Sequence, residues 1–351
     1  MWKVIAGSRD GWDKLGLASG VPEAGALRWE WREMGDLGPM RAAGIVGAML
    51  ATAAVHGQTV PTTNPVTAAD PIVVEGRALP DEVKIRALAR AISPRVGFDQ
   101  PLARFTDPVC FATAGLPSPM LRTIGARLAE NADAAGIALA GDGCTPNIIV
   151  VFVEDSRAEA ERLMRRKPWM FRNYQPSEML DILKEPGPVH VWSVSEVRSR
   201  DGDRISQGVD GPPTLRVPIA TRIGLAIRRD MLSTVMLVDR KAVLGRSLRQ
   251  VADYAAMRTL AMIRPKGAAG GDTILTLFDP AAAAPPTEMT AFDRGYLKAL
   301  YAGSGTQRGA TKVAMIARSI IRTAADDNAD ARRAGFAGSA GSAGSNNGGE
   351  Q

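Results

Sequence analysis

The sequence predicts an α/β or α+β fold, a single domain in which a mixed central sheet is flanked by helices. Hydrophobic residues make up 45% and charged residues 23% of the 351 positions, which is typical of a globular protein. Residues 147–153 (NIIVVFV) are apolar throughout, as in a central strand that is covered on both faces. Residues 189–197 (VHVWSVSEV) alternate apolar and polar side chains, which predicts a strand nearer the sheet edge with one exposed face.

The other elements are predicted from the helical spacing of apolar residues and from local start and stop signals. Further strands are expected at residues 72–77 and 233–240, with a loop at residues 201–213. Helices are expected to start at Asp81, at Pro117, at Ser156 with Glu159 as its capping-box partner, at Pro176, and at Thr290 with Asp293. Gly136 and Arg166 are expected helix ends, and a last amphipathic helix is expected at residues 311–323.

Residues 246–262 (RSLRQVADYAAMRTLAM) predict an amphipathic helix that packs against the core. Its apolar arc contains Leu244, Leu248, Val251, Ala252, Ala255 and Met262, and the opposite side contains Arg246, Arg249, Gln250 and Asp253. A weak pair is expected between Arg249 and Asp253, which are four residues apart. On this interpretation, substituting Leu248 or Val251 unfolds the domain, whereas substituting Asp253 costs little.

An export signal is predicted at residues 40–57, where a basic start precedes an apolar run and the small-residue cleavage pattern Val55-His56-Gly57. The apolar run is shorter than the ~20 residues of a membrane span. We therefore expect no permanent membrane span, and a periplasmic or secreted protein after cleavage near Gly57. The predicted division of the chain is a start-codon misassignment or disordered extension at 1–39, the signal peptide at 40–57, a linker at 58–71, the globular domain at 72–326 and a disordered Gly/Ser/Ala-rich tail at 327–351.

Two cysteines, Cys110 and Cys144, lie beside turn-forming residues on either side of a predicted helix. An even number of cysteines in an oxidising compartment most simply forms a disulfide. The sequence therefore predicts a bond between these two residues.

Several classes of chemistry are disfavoured by the composition. The net charge of +6 is modest and accompanies no nucleic-acid-binding motif, so no nucleic-acid partner is expected. A catalytic zinc normally takes three protein ligands, chiefly His, yet the chain contains only His56 and His190. Residues 302–312 (AGSGTQRGATK) lack the Gly-Lys-Ser/Thr of a phosphate loop and predict an interhelical linker. We expect no metal and no cofactor.

No catalytic residue is assigned from the sequence. A Ser-His-Asp triad would require His190, which the pattern places on a strand beside Trp192 as a packed side chain. If the protein is instead a hydrolase with non-metal acid and base chemistry, four residues are the candidates for its cleft: Asp253, Tyr254, Arg258 and His190.

The order of elements from residue 147 to residue 303 resembles a family of uncharacterised exported bacterial proteins with a zincin-like (metallopeptidase-like) domain. The resemblance rests on NIIVVFV, the helix RSLRQVADYAAMRTLAM, TILTLFD and EMTAFDRGYLKALYAG, with matches at Phe278-Asp279, Asp293 and Leu300-Tyr301. Where that family has His-Glu or Glu-Glu, this helix has Gln250-Val251 or Ala252-Asp253, so no catalytic residue carries over. The resemblance implies a degenerate domain that keeps the zincin-like scaffold and has lost the metal.

These observations lead us to expect an exported, non-catalytic binding or structural protein of the cell envelope, with an envelope protein or a ligand as its partner. The alternative is the hydrolase described above. A purely structural role without a ligand is the third hypothesis, and it predicts no pocket of ligand size.

Overall fold

The structure, a computed structural model, describes residues 81–171, 174–206, 213–217 and 224–342, with side chains described as far as residue 325. All of these residues belong to the same compact unit. The predicted signal peptide, the predicted linker and the strand predicted at residues 72–77 lie outside the described residues.

Helices and strands are interspersed along the described chain, and the last elements are all helical. In order they are α1 (Glu82–Ile92), β1 (Arg104–Phe105), β2 (Phe111–Ala114), α2 (Ser118–Ala134), β3 (Ile148–Val153), α3 (Ser156–Arg166), α4 (Pro176–Leu183), β4 (Val189–Ser199), β5 (Ile227–Asp239), α5 (Arg240–Val243), α6 (Leu248–Leu260), α7 (Ala291–Tyr301) and α8 (Gly309–Ser342). Short 3-10 helices lie at Pro168–Phe171, Pro265–Ala268 and Ile274–Phe278.

The long strand β5 organises the sheet. Along one edge, β5 pairs antiparallel with β4. Along the other edge it pairs parallel with two strands in turn: first with β1, where Arg104 lies opposite Asp230, and then with β3, where Ile148 lies opposite Thr234. Strand β2 continues the sheet by pairing parallel with β3. The predicted α/β single domain with a mixed sheet and flanking helices is therefore confirmed.

Helices cover both faces of the sheet, which explains the unbroken apolar run of β3. Ile148, Val150 and Phe152 are buried in the main core, to which α1, α2, α6, α7 and α8 contribute. The alternate residues, Ile149 and Val151 among them, pack against a second, smaller core around Phe171 and Trp192, formed with α3 and α4. The prediction of a central strand covered on both faces is confirmed.

Strand β4 pairs only with β5 among the described strands, as expected of an edge strand. None of its side chains is fully exposed: His190 and Ser193 are buried, and Ser195 and Glu196 are partly buried. The hydroxyls of Ser193 and Thr234 are 2.9 Å apart, and the phenol of Tyr174 bonds to both the backbone N–H and the C=O of Ser193. The predicted exposed face of this strand is wrong.

Most predicted helix starts agree with the structure. Asp81 caps α1, and Thr290 caps α7 with Asp293 as its partner. Gly136 follows α2 with a φ of 77°, the left-handed conformation that glycine adopts at helix ends. The capping box at Ser156 is wrong, because Asp155 caps α3 by accepting a hydrogen bond from the N–H of Ala158.

Helix α6 differs most from its prediction. It begins at Leu248, capped by Ser247, so that Leu244 lies outside the helix and is 78% exposed. Every residue from position 251 to position 260 is buried, Asp253 included, because α2, α7, β5 and the 3-10 helix Ile274–Phe278 surround α6. Arg249 pairs with Glu288 at 2.9 Å, so the predicted pair between Arg249 and Asp253 is wrong.

A disulfide joins Cys110 to Cys144 with their Cα atoms 6.2 Å apart, which confirms the predicted bond.

The last helix, α8, runs on to Ser342 and so passes residue 326, where the sequence predicts the end of the globular domain. Residues 343–351 of the predicted tail lie outside the described residues.

Candidate functional site

Tyr254 and Arg258 lie one turn apart on α6 and form a buried polar cluster with Glu185, which lies in the loop before β4. Arg258 Nη1 donates a hydrogen bond to the hydroxyl of Tyr254 at 2.9 Å and lies 2.7 Å from Glu185 Oε1. The ring of Phe278 packs edge-on against Tyr254, 4.8 Å between ring centroids. The cluster thus joins α6, the α4–β4 loop and the 3-10 helix Ile274–Phe278.

The electrostatics of this cluster fix both protonation states at neutral pH. Burial raises the pKa of the Tyr254 phenol, so the phenol keeps its proton. Burial also acts to lower the pKa of Arg258, but Tyr254 and Glu185 outweigh it and raise the pKa above the ordinary value. Neither Tyr254 nor Arg258 can therefore act as a general base, and the positive charge of Arg258 is paired with the carboxylate of Glu185.

His190, the first buried polar residue of β4, contacts the start of α3. Its Nδ1 lies 2.9 Å from the hydroxyl of Ser156, and that hydroxyl lies 3.0 Å from the carbonyl oxygen of Pro188. Because a carbonyl can only accept, the hydroxyl hydrogen of Ser156 is used there, and His190 Nδ1 carries the proton that Ser156 accepts. Asp239, at the end of β5, accepts a 2.6 Å hydrogen bond from the backbone N–H of Ser156 and so holds α3 in place.

Burial lowers the pKa of His190, with further lowering from Arg157 and Arg258, while Glu185 and Asp239 act to raise it. The imidazole is therefore neutral at neutral pH, with its lone pair on Nε2. A serine nucleophile must donate its hydrogen to the histidine, and here the bond runs in the opposite direction. The pair of Ser156 and His190 is not arranged for nucleophilic attack.

Asp253 lies apart from these groups and has only structural partners. Arg127 of α2 donates two hydrogen bonds to its carboxylate, from Nε at 2.7 Å and from Nη2 at 3.2 Å. The side-chain amide of Asn131 and the backbone N–H of Met289 donate further hydrogen bonds at 2.7 and 2.8 Å. The structure therefore brings Tyr254, Arg258 and His190 near the carboxylate of Glu185. The side chain of Asp253 does not belong to this group.

The chain matches no known protein family, no curated protein and no solved structure. Its function must therefore be argued from its own geometry.

The described residues contain no group of three or more His, Cys, Asp or Glu that could hold a metal ion. None of the helices in the described ranges combines the length and apolar character that crossing a bilayer requires.

Two nitrogen atoms of the predicted candidates lack hydrogen-bond partners within the described part of the chain. These are Nε2 of His190, an acceptor, and Nε of Arg258, a donor, and both side chains are nearly fully buried. A buried polar atom without a partner costs about 1–3 kcal/mol.

Sequence reasoning missed the partners of the candidate residues. Arg127 and Asn131 are four residues apart on α2, beside its apolar arc, and this spacing was a usable signal for a polar contact directed at the core. Glu185 and Ser156 carried no such signal, because their roles depend on where the α4–β4 loop and α3 meet the sheet.

Proposed function

We propose that the protein is an exported, non-catalytic binding or structural component of the cell envelope. The observation that carries the proposal is the burial of the four candidate residues, of which Asp253 is 0%, His190 2%, Arg258 3% and Tyr254 4% exposed. Catalysis requires a substrate to reach the reacting groups, and these groups instead hold the core together.

Further support comes from the disulfide and from the predicted signal peptide. Disulfides persist in oxidising compartments such as the periplasm and the cell exterior. Together with the apolar run and cleavage pattern at residues 40–57, the Cys110–Cys144 bond favours a periplasmic or secreted protein. A zincin-like scaffold without its metal is part of the proposal and rests on the resemblance of residues 147–303.

Export is tested by fractionating the native host and sequencing the N-terminus of the purified protein. We expect the protein outside the cytoplasm, starting at Gln58, because the predicted cleavage follows Gly57. A mature N-terminus well upstream of Gln58, in protein recovered from the cytoplasm, would refute export.

The absence of hydrolysis is tested with purified protein on casein and on a chromogenic ester, with Tyr254→Phe and His190→Asn alongside. We expect no turnover above the blank for wild type or variants. Turnover that disappears in both variants would establish the alternative, a hydrolase in which Tyr254, Arg258 and His190 act in catalysis.

A further inference from the structure

A groove of about 220 Å³ lies between α2 and the loop that the disulfide attaches to β2. One wall is apolar and contains Val109, Phe111 and Leu139. The opposite wall is the outer face of α2, where Gly125, Ala126 and Ala129 line the groove. The groove therefore combines large apolar side chains on one side with very small ones on the other.

The groove is open because α2 carries small residues there. A Cβ atom built on Gly125 would have no neighbour within 4 Å. The inner face of the same helix, with Leu121, Ile124 and Leu128, is buried in the main core. Since α2 is held by its inner face, the outer face can leave this space unfilled without loosening the helix.

Two opposite charges also line the groove, Arg122 from α2 and Asp142 from the disulfide-linked loop. Across the residues that the structure describes, neither side chain forms an ion pair or a side-chain hydrogen bond, and both are exposed. Arg127 of the same helix differs from Arg122, because it binds Asp253 and Glu130. The groove thus offers one cation and one anion that do not satisfy each other.

The loop wall is fixed in place before any ligand arrives. Besides the disulfide, the backbone N–H of Val109 donates to the carbonyl of Ala138, and that of Ala140 donates to the carbonyl of Val109, at 2.8 and 2.9 Å. A preformed wall spares a ligand the entropic cost of ordering the loop.

We propose that this groove binds a free α-amino acid with an aliphatic side chain. The carboxylate pairs with Arg122, the ammonium pairs with Asp142, and the side chain packs against Phe111 and Leu139. Pockets for drug-sized ligands span roughly 300–1,000 Å³, so the smaller volume of this groove fits a ligand of the size of an amino acid. The groove combines an apolar surface with two unpaired opposite charges, and these correspond to the three groups that an aliphatic amino acid presents.

The test is isothermal titration of the full chain with L-leucine. We expect saturable binding to one site. Glycine, 4-methylpentanoate and 3-methylbutylamine each lack one of the three groups, and we expect each to bind at least about tenfold more weakly, a loss of ~1.4 kcal/mol. Binding of 4-methylpentanoate as tight as that of leucine would overturn the proposal in favour of a simple anion site.

Three variants and one control variant test the placement. Arg122→Gln and Asp142→Asn should each weaken leucine binding at least about tenfold. The control is Asp133→Asn, which should leave leucine binding unchanged. Asp133 is an exposed residue of α2 whose carboxylate has no side-chain partner among the described residues. Gly125→Leu fills the groove and should abolish binding without lowering the melting temperature, because glycine is unfavourable inside a helix. Unchanged binding in Gly125→Leu would place the ligand elsewhere and refute the site.

This inference gives a ligand class to the binding function proposed above and rests on that function. The two fail separately: a chain that binds no leucine overturns the groove proposal, while export and the absence of hydrolysis are decided by fractionation and by the enzyme assays.

Discussion

At the scale of single residues, the polar groups inside this protein serve mainly to position its backbone. His190 receives its orientation from Ser156, and Ser156 in turn bonds to Pro188 and Asp239. The imidazole of His190 is neutral and buried within this series of hydrogen bonds. The junction of α3, β4 and β5 is therefore sensitive to acid, because a proton on Nε2 would find no acceptor among the described groups.

We predict that acid destabilises the protein through His190. Its pKa in the folded state lies below the ordinary value of about 6.5, so the unfolded chain takes up the proton first as pH falls, and the free energy of unfolding decreases below about pH 6.5. In urea unfolding at about pH 7.5 and about pH 5, wild type should lose more stability than His190→Asn, which keeps a donor for Ser156 but does not titrate.

Asp293 acts in the opposite direction and must be held constant in that comparison. Burial raises its pKa to about 6, so its contribution to stability is present at low pH and is lost as pH rises through about 6. Both proteins in the experiment contain Asp293, so the difference between them reports His190. Equal losses in the two proteins would contradict the prediction.

At the scale of elements, Asp253 ties three segments together: α6, which carries it, α2 through Arg127 and Asn131, and the turn before α7 through the N–H of Met289. The helical pattern of α6 places Asp253 on the side opposite the apolar arc, and that is correct for an isolated helix. The prediction that its substitution costs little conflicts with this structure, because α2 and the turn before α7 cover the polar side as well.

We predict that Asp253→Asn lowers the free energy of unfolding by about 3 kcal/mol, because it removes one partner of a buried, bidentate ion pair. Urea unfolding measures the loss, with Asp133→Asn on the exposed side of α2 as the control that should stay within about 0.5 kcal/mol of wild type. A loss below about 1 kcal/mol for Asp253→Asn would restore the solvent-facing interpretation of this residue.

Local signals in the sequence predicted the elements well, and contacts between distant segments account for what it missed. The caps at Asp81 and Thr290 and the central position of β3 depend on residues within one or two turns or on one strand. The burial of Asp253 depends on Arg127, which is 126 positions away in the chain. The groove was not predicted for the same reason, since the segments that line it are brought together only in the folded chain.

At the scale of the whole molecule, the disulfide joins the start of β2 to the loop after α2. The two cysteines are 34 positions apart, and α2, which packs on the main core, lies between them. In the chain-entropy model, closing a loop of this length stabilises the folded state by about 3–4 kcal/mol. That is a large share of the ~5–15 kcal/mol by which domains are usually stable.

We predict that reduction lowers the free energy of unfolding by about 3–4 kcal/mol. Urea unfolding with and without a reductant measures the change. The double variant Cys110→Ala/Cys144→Ala is the control, and it should match reduced wild type and ignore the reductant. Wild type that is unaffected by a reductant, while alkylation confirms free thiols, would show that the bond contributes little.

The position of β5 in the chain sets the order in which this sheet can be assembled during synthesis. Within the described region β1 and β4 have no partner strand other than β5, and β5 begins only at residue 227. A nascent chain that has not yet reached this point can form the β2–β3 pair and local helices, but it cannot join the remaining strands. Folding of the sheet therefore waits until about two thirds of the polypeptide has left the ribosome, because β5 is the strand to which β1, β3 and β4 are joined.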